Sequence, residues 1–147
     1  MNNAAVVLAR ADVRRLVKGF DSELERWWDT HGALIIGNEC ASAVVMTYYH
    51  PLTFHLPGGT YTPDFKHILA DGRVVLIEVK ALILKTKYVD LADGTSEAKQ
   101  VHNSRAQYGY RDARAKLRAA ASIYPCFLWV EARIGKRGAY EIEFING

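Results

Sequence analysis

A nearly continuous apolar run, Val74 to Ile77, ends in Glu78-Val79-Lys80. That pattern predicts a strand over Arg73 to Lys80, buried on both faces along its apolar stretch. Period-two alternation puts Leu76, Glu78 and Lys80 on one face and Val75, Ile77 and Val79 on the other, with Glu78 and Lys80 roughly 7 Å apart. Asp71-Gly72 immediately upstream is a hairpin signal, so an antiparallel partner strand is expected over Tyr61 to Leu69. A suitable register of that pair brings Asp64 beside Glu78.

Helical spacing appears in three places. A short helix is expected around Ala11 to Lys18. A second begins at Glu23 behind Asp21 and Ser22, with Leu24, Trp27 and Trp28 as core positions. A third runs from Arg105 to Ser122, rich in Ala and straight-chain residues, with Ala113, Leu117, Ala120 and Tyr124 facing the sheet. Further strands are expected near Ala43 to Tyr49, Cys126 to Ile134 and Ala139 to Ile145, the last two joined by Gly135-Lys136-Arg137-Gly138. Leu82 to Asn103 reads as a long connection. Strands separated by a helical crossover can return parallel, whereas hairpins cannot, so the expected fold is α/β: a central mixed sheet flanked by helices.

Composition narrows the picture. The 147 residues, 50% hydrophobic and 24% charged, suit one soluble domain with a substantial core. Nineteen Lys and Arg against 16 Asp and Glu give a formal charge of +3, which permits nucleic-acid binding without requiring it. Cys40 and Cys126 form neither a zinc spacing nor a disulfide framework. The apolar stretch Ala4 to Ala9 is interrupted by Arg10 and Asp12, so no signal peptide or membrane span is expected and cytoplasmic residence is the default.

The chemistry suggested by the polar positions is phosphodiester hydrolysis. Two close carboxylates repel each other, and a divalent metal resolves the conflict. Mg2+ takes hard oxygen ligands and commonly uses one or two carboxylates together with substrate phosphate. Asp64 and Glu78 supply that share, and the Val79 carbonyl is a further oxygen at the edge of the site. Lys80 is placed to orient or deprotonate the attacking water and to offset charge developing on the phosphate. The competing account is structural: an Asp near a turn and alternating Glu and Lys on a solvent-facing strand are ordinary features.

Pro63-Asp64 followed by Glu78-Val79-Lys80 resembles the core motif of the PD-(D/E)XK nuclease superfamily, the fold of many restriction and junction-cleaving endonucleases. The likeness extends to a small phage-associated group of restriction-endonuclease-like proteins. It is carried by Phe20-Asp21-Ser22-Glu23-Leu24-Glu25, Tyr61-Thr62-Pro63-Asp64-Phe65, Glu78-Val79-Lys80, Arg111 to Leu117, Tyr124-Pro125 and Tyr140-Glu141-Ile142-Glu143. The resemblance implies a single nuclease-like domain over residues 1–147. It also implies metal-binding carboxylates at Asp64 and Glu78, the motif lysine at Lys80, and an acidic residue at Glu25 from the helix that begins at Glu23. Mg2+, with Mn2+ as substitute, is the implied cofactor, and DNA the substrate. Branched or structured DNA in phage recombination or replication is the setting it points to, with a homodimer and phage replication or recombination proteins as partners. Ala81 departs from the glycine that often follows the motif lysine, and Leu82 to Asn103 exceeds the usual connection.

Two assignments stay open at the level of sequence. Ser22 and Glu25 fit a capping box in which Glu25 reaches back to the Ser22 amide, an alternative to a role in the metal site. Arg111, Arg114 and Arg118, with Lys116, form a stripe on the third helix suited to phosphate oxygens, or else an ordinary solvated face. A noncatalytic DNA-binding or protein-interaction domain on the same fold is the alternative to an enzyme.

Overall fold

A computed structural model describes residues 22–102 and 110–146. The expected helix at 11–18, Phe20, Asp21 and the expected start of the third helix at 105–109 lie outside them. The described elements run α1 (Glu23–Glu39), β1 (Val44–Tyr49), β2 (Phe54–Leu56), β3 (Gly59–Tyr61), β4 (Phe65–Leu69), β5 (Val74–Ala81), β6 (Leu84–Asp90), β7 (Ser96–His102), α2 (Tyr110–Ile123), β8 (Leu128–Ile134), a 3-10 turn (Lys136–Gly138) and β9 (Tyr140–Phe144).

Five strands form the central sheet in the order β1-β4-β5-β8-β9. The β1–β4, β4–β5 and β8–β9 pairs are antiparallel, whereas β5 and β8 are parallel. The mixed sheet expected from the crossover is therefore present, with α2 between β5 and β8 in sequence.

The two faces of β5 belong to two apolar layers, as its alternation requires. Val75, Ile77 and Val79 pack with Trp28 and Ile36 of α1, and Leu76 packs with Leu117 and Ala120 of α2 and with Trp129. Along α1 the buried positions Trp28, Gly32, Ala33, Ile35 and Ile36 recur at helical spacing. Gly32 is required by packing, since a Cβ there would sit 2.3 Å from the Trp28 indole. Trp28 is fully buried and Trp27 partly so, in keeping with their expected core roles.

Two parts of the fold differ from the sequence reading. The strand expected over Tyr61 to Leu69 is divided: Tyr61 ends β3, which pairs with β2 in a separate ribbon, and β4 starts only at Phe65. Pro63 lies in the break, and a residue without an N–H cannot donate to a ladder. The Leu82 to Asn103 connection is largely a second ribbon, with β6 and β7 paired antiparallel from Leu84↔His102 to Asp90↔Ser96. Its turn is built by Asp93, whose Oδ1 accepts from the Thr95 amide and hydroxyl, and by Gly94 at φ 86°.

Candidate active site

The site lies at the end of β5, where four parts of the chain meet. Asp64 precedes β4, and its backbone continues the ladder: its amide donates to the Ile77 carbonyl at 2.9 Å. Because Phe65 pairs with Ile77, the residue before it falls beside Glu78. The register that sequence permits is therefore the one adopted. The Asp64 carboxylate accepts from the Val79 amide, 2.8 Å from Oδ2. Val79 thus touches the site through its N–H.

Glu78 is 7% exposed and held from two directions. The Tyr61 hydroxyl donates to Oε2 at 2.6 Å, and Lys80 Nζ lies 3.1 Å from Oε1. Tyr61 sits in the α2-side layer at the end of the β2–β3 ribbon, so the ribbon fixes the donor that orients Glu78. Burial, and next the adjoining Glu78 charge, push the Tyr61 hydroxyl above the ordinary tyrosine range, which keeps it a donor.

Glu25 comes from the first turn of α1 and is 6% exposed. Ser22 caps the helix, its Oγ accepting from the Glu25 amide at 3.2 Å. The Glu25 side chain is directed to the site, where Oε2 accepts from the Tyr49 hydroxyl at 3.0 Å. The Ser22 half of the capping box thus forms through the Glu25 amide, while the Glu25 carboxylate, which a full box would turn back to the Ser22 amide, is directed to Tyr49 and the site.

His50 was not among the residues singled out by sequence. Its Nε2 lies 3.9 Å from both Glu25 Oε1 and Asp64 Oδ1. The three side chains offer ligand atoms all within 4.8 Å of one another, a grouping able to hold a metal ion. The available sequence signal was positional: Tyr49-His50-Pro51 closes the strand β1 at the same sheet end as Asp64.

The carboxylates of the site act on one another. Burial pushes the Asp64 carboxyl up to about 9, with the Glu78 charge and then Glu25 adding to the effect, while the Val79 amide opposes it. Carboxylates gathered in this way favour a positive ion among them, so the donor set fits a divalent metal.

The arginine stripe is not uniform. Arg118 and Lys116 are exposed on α2. Arg114 is drawn inward, pairing with Glu131 at 2.9 Å and Glu143 at 2.8 Å. Glu131 is 1% exposed and also meets Arg133, so its buried charge is met by two guanidinium groups. Arg111 lies in α2, its side chain outside the described set.

No family model, curated protein or solved structure matches the chain. Among the described residues, no helix is long and apolar enough to cross a membrane.

Proposed function

We propose that this chain is a metal-dependent endonuclease hydrolysing DNA phosphodiester bonds, on a restriction-endonuclease-like fold. The observation carrying this reading is the meeting of Glu25, Asp64 and Glu78 with Lys80 at one end of the sheet, from segments distant in sequence. Glu25, Asp64 and Glu78 would hold the ion, with the Val79 carbonyl as a further oxygen at the edge of the site. A bound divalent ion supplies positive charge to phosphate oxygens and acidifies the attacking water. Lys80, kept near the carboxylates by Glu78, orients that water and offsets charge developing on the phosphate. Tyr61 and the Val79 amide keep Glu78 and Asp64 in place. Exposed Lys116 and Arg118 offer phosphate contacts on α2. Branched or structured DNA in phage recombination or replication is the substrate class that the resemblance favours, with a homodimer cutting both strands.

The test is incubation of purified protein with linear, nicked, single-stranded and branched DNA in EDTA, Mg2+ or Mn2+. Metal-dependent cleavage that disappears in Asp64→Ala and Lys80→Ala is the expected result. Absence of cleavage on every substrate, or cleavage unchanged by both substitutions, rejects the enzyme reading. Salt-sensitive DNA binding without hydrolysis would then favour the noncatalytic alternative.

A further inference from the structure

We propose that His50 is a direct metal ligand and that the Glu25–His50–Asp64 group selects a divalent transition-metal ion over Mg2+. The proposal rests on the metal-dependent reading of the same site and specifies which ion it takes.

Distance is the first argument. Two atoms bound to one ion at about 2.1 Å can be no more than about 4.2 Å apart. His50 Nε2 meets this limit with both carboxylates, at 3.9 Å each. Glu78 is engaged differently, its two oxygens received by Tyr61 and Lys80. His50 thus stands within reach of an ion shared by Glu25 and Asp64.

The backbone supplies the second argument. Consecutive strand residues point to opposite faces. Tyr49 and His50 nevertheless both face Glu25, the first by a hydrogen bond and the second across 3.9 Å. Their rings stack with centroids 4.0 Å apart. The change of direction occurs at His50 itself, which has φ 46°, in the left-handed region that a non-glycine residue seldom occupies. Its amide donates to the Asp64 carbonyl at 2.8 Å, tying the bend to the neighbouring carboxylate's backbone. The imidazole is consequently held at the site from both ends, by the Tyr49 ring and by this backbone link.

Ligand chemistry supplies the selectivity. Mg2+ prefers oxygen donors and keeps its waters, whereas imidazole suits Fe2+, Ni2+, Cu2+ and Zn2+, with Mn2+ the weakest binder of the first-row series. One nitrogen with two carboxylates shifts preference toward the first-row ions without excluding Mg2+.

Mn2+ is the probe because its electron spin reports directly bound nitrogen. Mn2+ and Mg2+ affinities are measured by titration calorimetry for the full chain, His50→Asn and His50→Asp. Pulsed EPR on the Mn2+ complexes detects 14N coupling. Asn and Asp tolerate the left-handed backbone better than other residues, and circular dichroism with thermal melting checks that each variant keeps the fold. The unsubstituted protein is expected to show 14N coupling and to bind Mn2+ more tightly than Mg2+. In His50→Asn the coupling vanishes and Mn2+ affinity falls about tenfold or more. In His50→Asp the coupling vanishes and the Mn2+ to Mg2+ affinity ratio narrows. Mn2+ binding without 14N coupling in the unsubstituted protein, or coupling that persists in His50→Asn, overturns the role of His50 and leaves a carboxylate metal site intact. No Mn2+ binding at all overturns both readings.

Discussion

The Tyr61 hydroxyl donates to Glu78 Oε2 at 2.6 Å, linking the short β2–β3 ribbon to the polar end of the central strand. Both residues are buried, so neither has water as a ready substitute. Tyr61→Phe keeps the ring and removes the donor. Hydrogen bonds to charged groups contribute about 1.5–3 kcal/mol, and a loss of that order is expected in denaturant unfolding with unchanged slope. Cleavage, if present, is expected to fall through kcat because Glu78 and Lys80 lose their fixed relation.

Asp64 gives the metal-free protein a pH dependence of definite sign. A carboxyl raised from its ordinary value of 3.8 to about 9 binds a proton in the fold that the unfolded chain has already released. Its contribution is complete below the unfolded carboxyl range and is lost as pH climbs through about 9. Thermal melts in EDTA should therefore fall between those limits, and Asp64→Asn should flatten the decline. A curve of the same steepness in the variant assigns it to other groups.

His67 is fully buried between Trp28 and Thr47, and its tautomer follows from its partners. Trp28 Nε1 can only donate, and it lies 2.9 Å from His67 Nε2, so Nε2 carries the lone pair. Nδ1 then carries the proton and donates to Thr47 Oγ1, 2.9 Å away. Two-dimensional 1H–15N spectra at neutral pH should show a pyridine-type Nε2 and a protonated Nδ1. The reverse pattern would contradict the arrangement of α1 against β4.

Arg114 and its neighbours on α2 should separate by experiment. A buried carboxylate stripped of its cation costs about 3–5 kcal/mol. Arg133 remains beside Glu131, so Arg114→Ala is expected to cost less, about 1–3 kcal/mol of stability. Lys116→Ala and Arg118→Ala should leave stability within about 0.5 kcal/mol. If they contact phosphate, each lowers the salt slope of DNA binding by about 0.9. Unchanged slopes in both would remove this face of α2 from the DNA contact.

What could be read from the sequence follows from which faces are buried. β5 was legible because its alternate residues enter two different apolar layers, and its pairing with Asp64 because Asp71-Gly72 fixes the turn. The β6–β7 ribbon was not, since Lys87, Tyr88, Glu97 and Lys99 are exposed and leave little hydrophobic period to find. Arg114 looked like its exposed neighbours on α2 because its acidic partners lie 17 and 29 residues away. His50 escaped for a third reason: its position depends on one backbone bend at the end of β1, and no side-chain periodicity encodes a single φ.

The parallel pairing of β5 with β8 also bears on how the sheet is completed. β1, β4 and β5 are joined by antiparallel pairs close in sequence, and Glu25, His50, Asp64, Glu78 and Lys80 all precede Leu82. β8 arrives only after the β6–β7 ribbon and α2, and such distant contacts form slowly. Until it docks, β5 is an apolar edge open to other chains. Any state lacking β8 would expose the strand that bears Glu78 and Lys80, and charges at a strand's end act as gatekeepers against pairing with other chains.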